Sequence, residues 1–308
     1  MNTLCGGVWV PVATPFKSDG QVDRVLFAEH CQHLIDEGAD GLAILGTTSE
    51  ANSLSLPERL DLLNHLIDYG VSPEQLMPGT GSSSITDAVQ LTRAAVTAGC
   101  VGTLVLPPFY YKAVDDDALF AYFSELIERV GDDGLRVFLY HIPPFAQVGF
   151  SLQLIERLLK RYNSIIAGLK DSSGDFKNTL AVIDAFPSLG VFPGSESFLL
   201  EGLRAGAVGC ITATGNINTR AIKQAYVGSK TAAADSLQAA ITRRRKIVES
   251  FPLIPAIKAL LARRYGEPTW RLTRVPLMPL STERERNLIE VLQGDGYQIA
   301  SEHGGVTQ

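Results

Sequence analysis

An apolar run, Ile165-Ile166-Ala167-Gly168-Leu169, ends on Lys170 and passes into the polar turn Asp171-Ser172-Ser173-Gly174. A short apolar run bounded by turn residues reads as a buried strand, so Lys170 stands where strand becomes loop. Lysine is rarely buried, and burial favours its neutral amine, a nucleophile that forms Schiff bases with ketones. The bland alternative is an ammonium that merely snorkels to water at a strand end. Other reactive residue types follow other apolar runs. Gly46-Thr47-Thr48-Ser49-Glu50 offers backbone amides and two adjacent hydroxyls suited to a small carboxylate. Gly79-Thr80-Gly81-Ser82, Pro107-Pro108-Phe109-Tyr110-Tyr111 and Tyr140-His141-Ile142-Pro143 occupy the same kind of position. A phenol such as Tyr140, held beside a reactive amine, shuttles protons.

The elements that must position these groups alternate between strand and helix. Apolar runs at residues 7–12, 42–45, 76–79, 103–106, 137–140, 165–169, 190–192 and 208–211 make about eight strands, each followed by a segment of helical periodicity. That count predicts an α/β chain folded as a (β/α)8 TIM barrel, whose active site is built from the loops after the strands. Every reactive stretch above falls on that one rim, and consecutive strands bring Tyr140 within reach of Lys170. Convergence at one rim favours chemistry over snorkelling for Lys170. Gly38-Ala39-Asp40-Gly41, Gly99-Cys100-Val101-Gly102 and Gly206-Ala207-Val208-Gly209 repeat one pattern, a glycine closing a helix before the next strand. Beyond about residue 230 only helical patterns remain. The expected organisation is a catalytic barrel over 1–230 and a helical extension over 231–308 packed on it.

The chain has 308 residues, 45% of them hydrophobic, enough for one large domain with an extension. A net charge of −6 argues against nucleic-acid binding, and the basic run Arg243-Arg244-Arg245-Lys246 reads as a solvated helix face or a subunit contact. Asp115-Asp116-Asp117 precedes a helical pattern and reads as a cap with helix-dipole compensation rather than a metal site. Cys5, Cys31, Cys100 and Cys210 show no paired spacing, as expected of a reduced, cytoplasmic protein. No leader pattern or membrane-length apolar run is visible. His30 and His33 lie one helical turn apart but lack a third ligand, so helix packing explains them better than metal.

Gly46-Thr47-Thr48-Ser49-Glu50, Gly79-Thr80-Gly81, Tyr140-His141-Ile142-Pro143, Gly168-Leu169-Lys170-Asp171-Ser172-Ser173-Gly174 and Gly194-Ser195-Glu196 together carry a resemblance to a known family. Over about residues 7–280 the chain resembles the dihydrodipicolinate synthase and N-acetylneuraminate lyase family of class I aldolases. The resemblance implies that Lys170 forms the Schiff base with pyruvate or another 2-oxo acid and that Tyr140 relays protons. It implies that Thr47 and Thr48 hold the carboxylate and assist the relay, that Ile211 offers a backbone carbonyl near the imine, and that Tyr110 reaches into a neighbouring subunit's site. It further implies a homo-oligomer, commonly a tetramer of tight dimers, with no metal or organic cofactor required.

Two departures narrow the substrate. Dihydrodipicolinate synthases carry an arginine shortly after the Tyr-x-x-Pro motif, and Phe145 stands there; an apolar ring cannot make a bidentate pair with a carboxylate. Sialic acid lyases carry an Asp-Glu pair and a serine, where this chain has Glu196, Ser197 and Ala213. The expected activity is therefore cleavage of a 2-keto-3-deoxy acid to pyruvate and an aldehyde, or the reverse condensation. Phe145, His141, Glu196 and Thr212 are the expected distal pocket. A 2-keto-3-deoxy sugar acid dehydratase, dihydrodipicolinate synthase itself and a non-catalytic keto-acid-binding barrel are the alternatives.

Overall fold

A computed structural model describes residues 5–298. Seven strands are present among them: β1 (Gly7–Val10), β2 (Gly41–Leu42), β3 (Thr103–Val105), β4 (Val137–His141), β5 (Ile166–Asp171), β6 (Gly190–Pro193) and β7 (Gly209–Ile211). All pair in parallel, in two sheets of order β2-β1-β7 and β3-β4-β5-β6. The expected strand at 76–79 is reduced to isolated bridges, Leu42 with Leu76 and Gly79 with Leu104. Pro78 explains the loss, because proline has no N–H to give a ladder. The stave is nonetheless held by Met77 N–H donating to Leu42 O at 2.9 Å and Gly79 N–H to Ile44 O at 2.7 Å. On the other side Val208 N–H donates to Val191 O at 3.1 Å. These bonds close the two sheets into one (β/α)8 barrel with a C-terminal helical extension.

The strands are buried on both faces, which is why their sequences are apolar runs rather than alternations. Inside the barrel pack Trp9, Met77, Leu104, Phe138, Phe192 and Ile211. Outside it, separate clusters fill the layer between strands and helices. Helix boundaries follow local chemistry. Asp23 caps the helix Arg24–Asp36 by accepting from Leu26 N–H, and Asp115 caps Asp116–Val130 by accepting from Ala118 N–H. Gly38, Gly99 and Gly206 all have positive φ, so the repeated glycine junctions are left-handed helix exits.

The extension consists mainly of the helices Ala234–Glu249, Leu253–Tyr265 and Thr282–Gly294. Val248, Leu261, Trp270 and Leu288 share a core cluster with Ala13, Ala213 and Ile217 at the barrel's rim, so the extension packs over the carboxyl ends of β1 and β7. His30 belongs to the same junction. Its ring nitrogens lie 2.7 Å from the Tyr265 hydroxyl and 3.0 Å from Asn216 Oδ1, and burial pulls its pKa down to about 3. The run Arg243-Arg244-Arg245-Lys246 is not a plain solvated face. Arg243 pairs with Asp295, Arg244 donates to Asn218 and stacks over Tyr297, and Arg245 pairs with Glu249. Arginine's planar fork suits it to such seams between helices.

Candidate active site

The register of β4 on β5 sets Tyr140 beside Lys170. Lys170 is 4% exposed, and its Nζ lies 4.3 Å from the centroid of the Tyr140 ring. The Tyr140 hydroxyl lies 3.1 Å from Thr47 Oγ1. Amine, phenol and threonine hydroxyl thus come from the ends of three different staves to one point, as a barrel rim allows. The resemblance assigned carboxylate binding and relay to both threonines; Thr47 is the one in contact with the phenol, while Thr48 is buried and lines the same cavity.

Each of these groups is fixed from behind. Just past Lys170, the Asp171 carboxylate accepts from Asn178 Nδ2 at 2.9 Å, Thr179 Oγ1 at 2.8 Å and Ser173 N–H at 2.9 Å. Its carbonyl accepts from Gly194 N–H at 2.6 Å, tying the end of β5 to the turn after β6. The threonine loop is tied to the loop after β1, with Ser49 Oγ donating to Val12 O and Thr14 Oγ1 donating to Ser49 O at 2.8 Å. Gly79 packs against its base; a Cβ there would sit 2.4 Å from Leu45 O.

The threonine loop also carries backbone strain. Leu45 and Glu50, which flank it, have φ of 58° and 57°, a left-handed conformation costly for any residue with a side chain. A buried ion pair holds the far end. Lys258 Nζ lies 2.6 Å from Glu50 Oε1, both side chains are fully buried, and the ammonium also donates to Thr14 O at 2.8 Å. The other carboxylate oxygen, Glu50 Oε2, accepts from Arg274 N–H at 2.9 Å. Burial pulls the Lys258 ammonium down to about 8, against the opposing pull of Glu50. Removing one partner of a buried pair strands the other, so Lys258→Met is expected to lose about 3–5 kcal/mol of stability. Urea denaturation of Lys258→Met, Glu50→Gln and the double variant measures this, and the double variant is expected to recover most of the loss. Additive losses would mean that the two groups are uncoupled.

Lys170, Tyr140, Thr47, Thr48 and Ile211 all line a cavity of about 900 Å³ that runs outward between the rim and the extension. Phe145, on the short helix Pro143–Ala146, also lines it. The other three expected distal groups do not. His141 is buried, its Nδ1 accepting from Phe150 N–H at 3.0 Å, and burial pulls its imidazole below the ordinary value against the pull of Asp171. Glu196 is fully buried and accepts from both Thr212 Oγ1 and Thr214 Oγ1, so Glu196 and Thr212 satisfy each other behind the wall. Tyr110 is 74% exposed and meets Tyr111 edge to face; neither lines this chain's cavity. Wall residues that the sequence reading did not single out include Thr242, Leu253 and Met278. Those in the extension carry no local motif, so only the packing of the helices on the rim identifies them. Among the described residues no group of three or more His, Cys, Asp or Glu is placed to hold a metal ion, and no helix is long and apolar enough to cross a membrane.

Known proteins share this architecture. A relative from Chloroflexus aurantiacus, named an uncharacterized DapA-like lyase, is 37% identical over 90% of this chain and 92% of its own. The dihydrodipicolinate synthase of Agrobacterium tumefaciens superposes with a TM-score of 0.87 at 31% identity, covering 94% of this chain and 98% of that one. YagE, a prophage protein of the dihydrodipicolinic acid synthase family from E. coli K12 solved with pyruvate, gives 0.87 at 26% identity over 94% and 98%. The sequence profile of the dihydrodipicolinate synthetase family matches residues 4–294. The chain therefore belongs to the dihydrodipicolinate synthetase family and is a pyruvate-dependent class I lyase.

Proposed function

We propose that this chain cleaves a 2-keto-3-deoxy acid to pyruvate and an aldehyde, or runs the reverse condensation, through a Schiff base on Lys170. The observation that carries the reading is the buried Lys170 amine against Tyr140, whose hydroxyl meets Thr47 in a cavity open to substrate. Lys170 Nζ attacks the C2 ketone and water leaves, giving a protonated imine. Tyr140 takes the proton of the C4 hydroxyl. The C3–C4 bond then breaks, its electron pair forming the enamine C2=C3 bond while the imine nitrogen becomes neutral, and the aldehyde departs. Protonation at C3 and hydrolysis of the imine release pyruvate and regenerate the amine. Thr47 and Thr48 hold the carboxylate and so orient the ketone against Lys170, with the Ile211 carbonyl beside the imine.

The same imine can expel the C4 hydroxide instead, which is the dehydratase reading, so the products decide between them. Given a 4-hydroxy-2-oxo acid, the expected result is equimolar pyruvate and aldehyde by chromatography. An intact dehydrated keto acid would assign a hydro-lyase, and neither product would leave a keto-acid-binding barrel. The synthase reading draws support from the Agrobacterium tumefaciens neighbour. It needs a cation for the carboxylate of aspartate semialdehyde where Phe145 stands. Arg245 lines the cavity but is engaged by Glu249 at 2.7 Å, with Glu196 at 3.7 Å.

The same reading takes residues 1–230 as the catalytic barrel and 231–308 as the extension; their ends, 1–4 and 299–308, lie outside the described residues. It also takes the protein as a cytoplasmic homo-oligomer, a dimer or tetramer. Free thiols at Cys5, Cys31, Cys100 and Cys210 support the compartment, and the exposed pair Tyr110 and Tyr111 supports an aromatic subunit contact.

A further inference from the structure

Resting on the lyase reading, we infer that the aldehyde half of the substrate is apolar, so that the enzyme handles 4-hydroxy-2-oxo acids bearing an aryl or branched alkyl group on C4. The reaction is pyruvate plus R–CHO to and from R–CH(OH)–CH2–CO–COO⁻, with no net redox change and the water of imine formation returned on hydrolysis.

The cavity is far larger than a three-carbon acid requires, so most of its wall faces whatever lies beyond C3. That wall carries Ile142, Phe145, Phe198, Leu253, Ile254 and Met278, together with prolines. Phe145 is 70% exposed and Met278 69% exposed, although both are large apolar side chains. Apolar surface left open on a cavity wall gains by being covered with apolar substrate, and the flexible thioether of methionine adapts to rings. A polyhydroxylated chain has the opposite requirement, a donor or acceptor for each hydroxyl taken from water.

Several of the polar groups that could meet a polyol are turned to other uses. His141, Glu196 and Thr212 are bonded behind the wall, as described above. Of those on the wall, Ser195 Oγ accepts from Ser197 N–H at 3.2 Å, Thr242 Oγ1 accepts from Gln238 Nε2 at 2.8 Å, and Arg245 is paired with Glu249. Among the described residues, the buried polar side-chain atom on the wall that lacks a partner is Ser197 Oγ. Charge does not select a second anion either, since the outer wall carries Arg245, Lys246 and Arg284 alongside Asp175, Glu201 and Glu249, three of each sign.

The test is condensation of pyruvate with benzaldehyde, cyclohexanecarboxaldehyde, glyceraldehyde and aspartate semialdehyde, with kcat/KM for each, alongside borohydride trapping of pyruvate on Lys170. The expected result is a kcat/KM for the two apolar aldehydes at least about tenfold above that for glyceraldehyde, the scale a hydrophobic pocket supplies. Phe145→Ser and Met278→Ser are expected to shift that ratio about tenfold toward glyceraldehyde. Both positions are exposed, so neither change removes core packing. A pyruvate adduct together with a preference for glyceraldehyde or aspartate semialdehyde overturns the apolar assignment and leaves the lyase reading standing. Variants that leave the ratio unmoved overturn it too. Absence of the adduct overturns the Schiff-base reading itself, and this inference with it.

Discussion

Lys170→Ala is expected to abolish turnover, lowering kcat by roughly 10⁴-fold or more, because no other group can carry the covalent step. The argument is chemical before it is structural. Without an imine, cleavage of C3–C4 would leave the electron pair on carbon next to an unactivated ketone. Lys170→Arg is expected to be equally inactive, since guanidinium stays protonated and cannot attack. The second lysine buried near this rim, Lys258, cannot substitute, because it is bound to Glu50 and Thr14. Steady-state assays of both variants, with circular dichroism to verify folding, measure this. Substantial turnover in a folded Lys170→Ala protein would remove the covalent mechanism.

Tyr140→Phe is expected to lower kcat by about 10²–10³-fold, the range of a positioned general acid–base. This substitution is clean. It keeps the ring over which Lys170 Nζ sits and the packing of the barrel interior, and it deletes only the hydroxyl 3.1 Å from Thr47. The loss should fall mainly on kcat, since proton transfer occurs in the transition state rather than in binding. Thr47→Val, which leaves the phenol but removes its partner, is expected to cost less, on the order of tenfold, as loss of one orienting hydrogen bond does. A Tyr140→Phe enzyme within threefold of wild type would transfer the proton relay to another group.

Much of this arrangement was legible before any coordinates. Lys170, Tyr140 and the Thr47-Thr48 pair end apolar runs, and strand ends are where a barrel collects its chemistry. Two things were not. The strand expected at 76–79 misled because apolar composition records burial, whereas a ladder also needs N–H groups that Pro78 does not have. The distal wall misled more. His141, Glu196 and Thr212 stand at or just beyond strand ends and so look like pocket residues, yet His141 Nδ1 is taken by Phe150 N–H and Glu196 and Thr212 bond each other. Their replacements come from the extension, as with Leu253 and Met278, and the strut beneath the threonine loop joins Glu50 to Lys258 across 208 positions of sequence. Contacts of that span leave no local pattern, because they depend on where a whole helix docks. The same limit applies to Arg243 and Arg244, whose charge reads as surface and whose partners Asp295 and Asn218 are fixed only by the packing of helices.

The central claim, a Schiff base between pyruvate and the buried amine at the end of β5, is tested most directly by covalent capture. Incubation with pyruvate, reduction with borohydride and peptide mass analysis fix any imine as a permanent adduct on its lysine. The account predicts one pyruvate-derived adduct per chain on Lys170, absent from Lys170→Ala. An adduct on Lys258 or another lysine instead, or none in folded protein at saturating pyruvate, would contradict it.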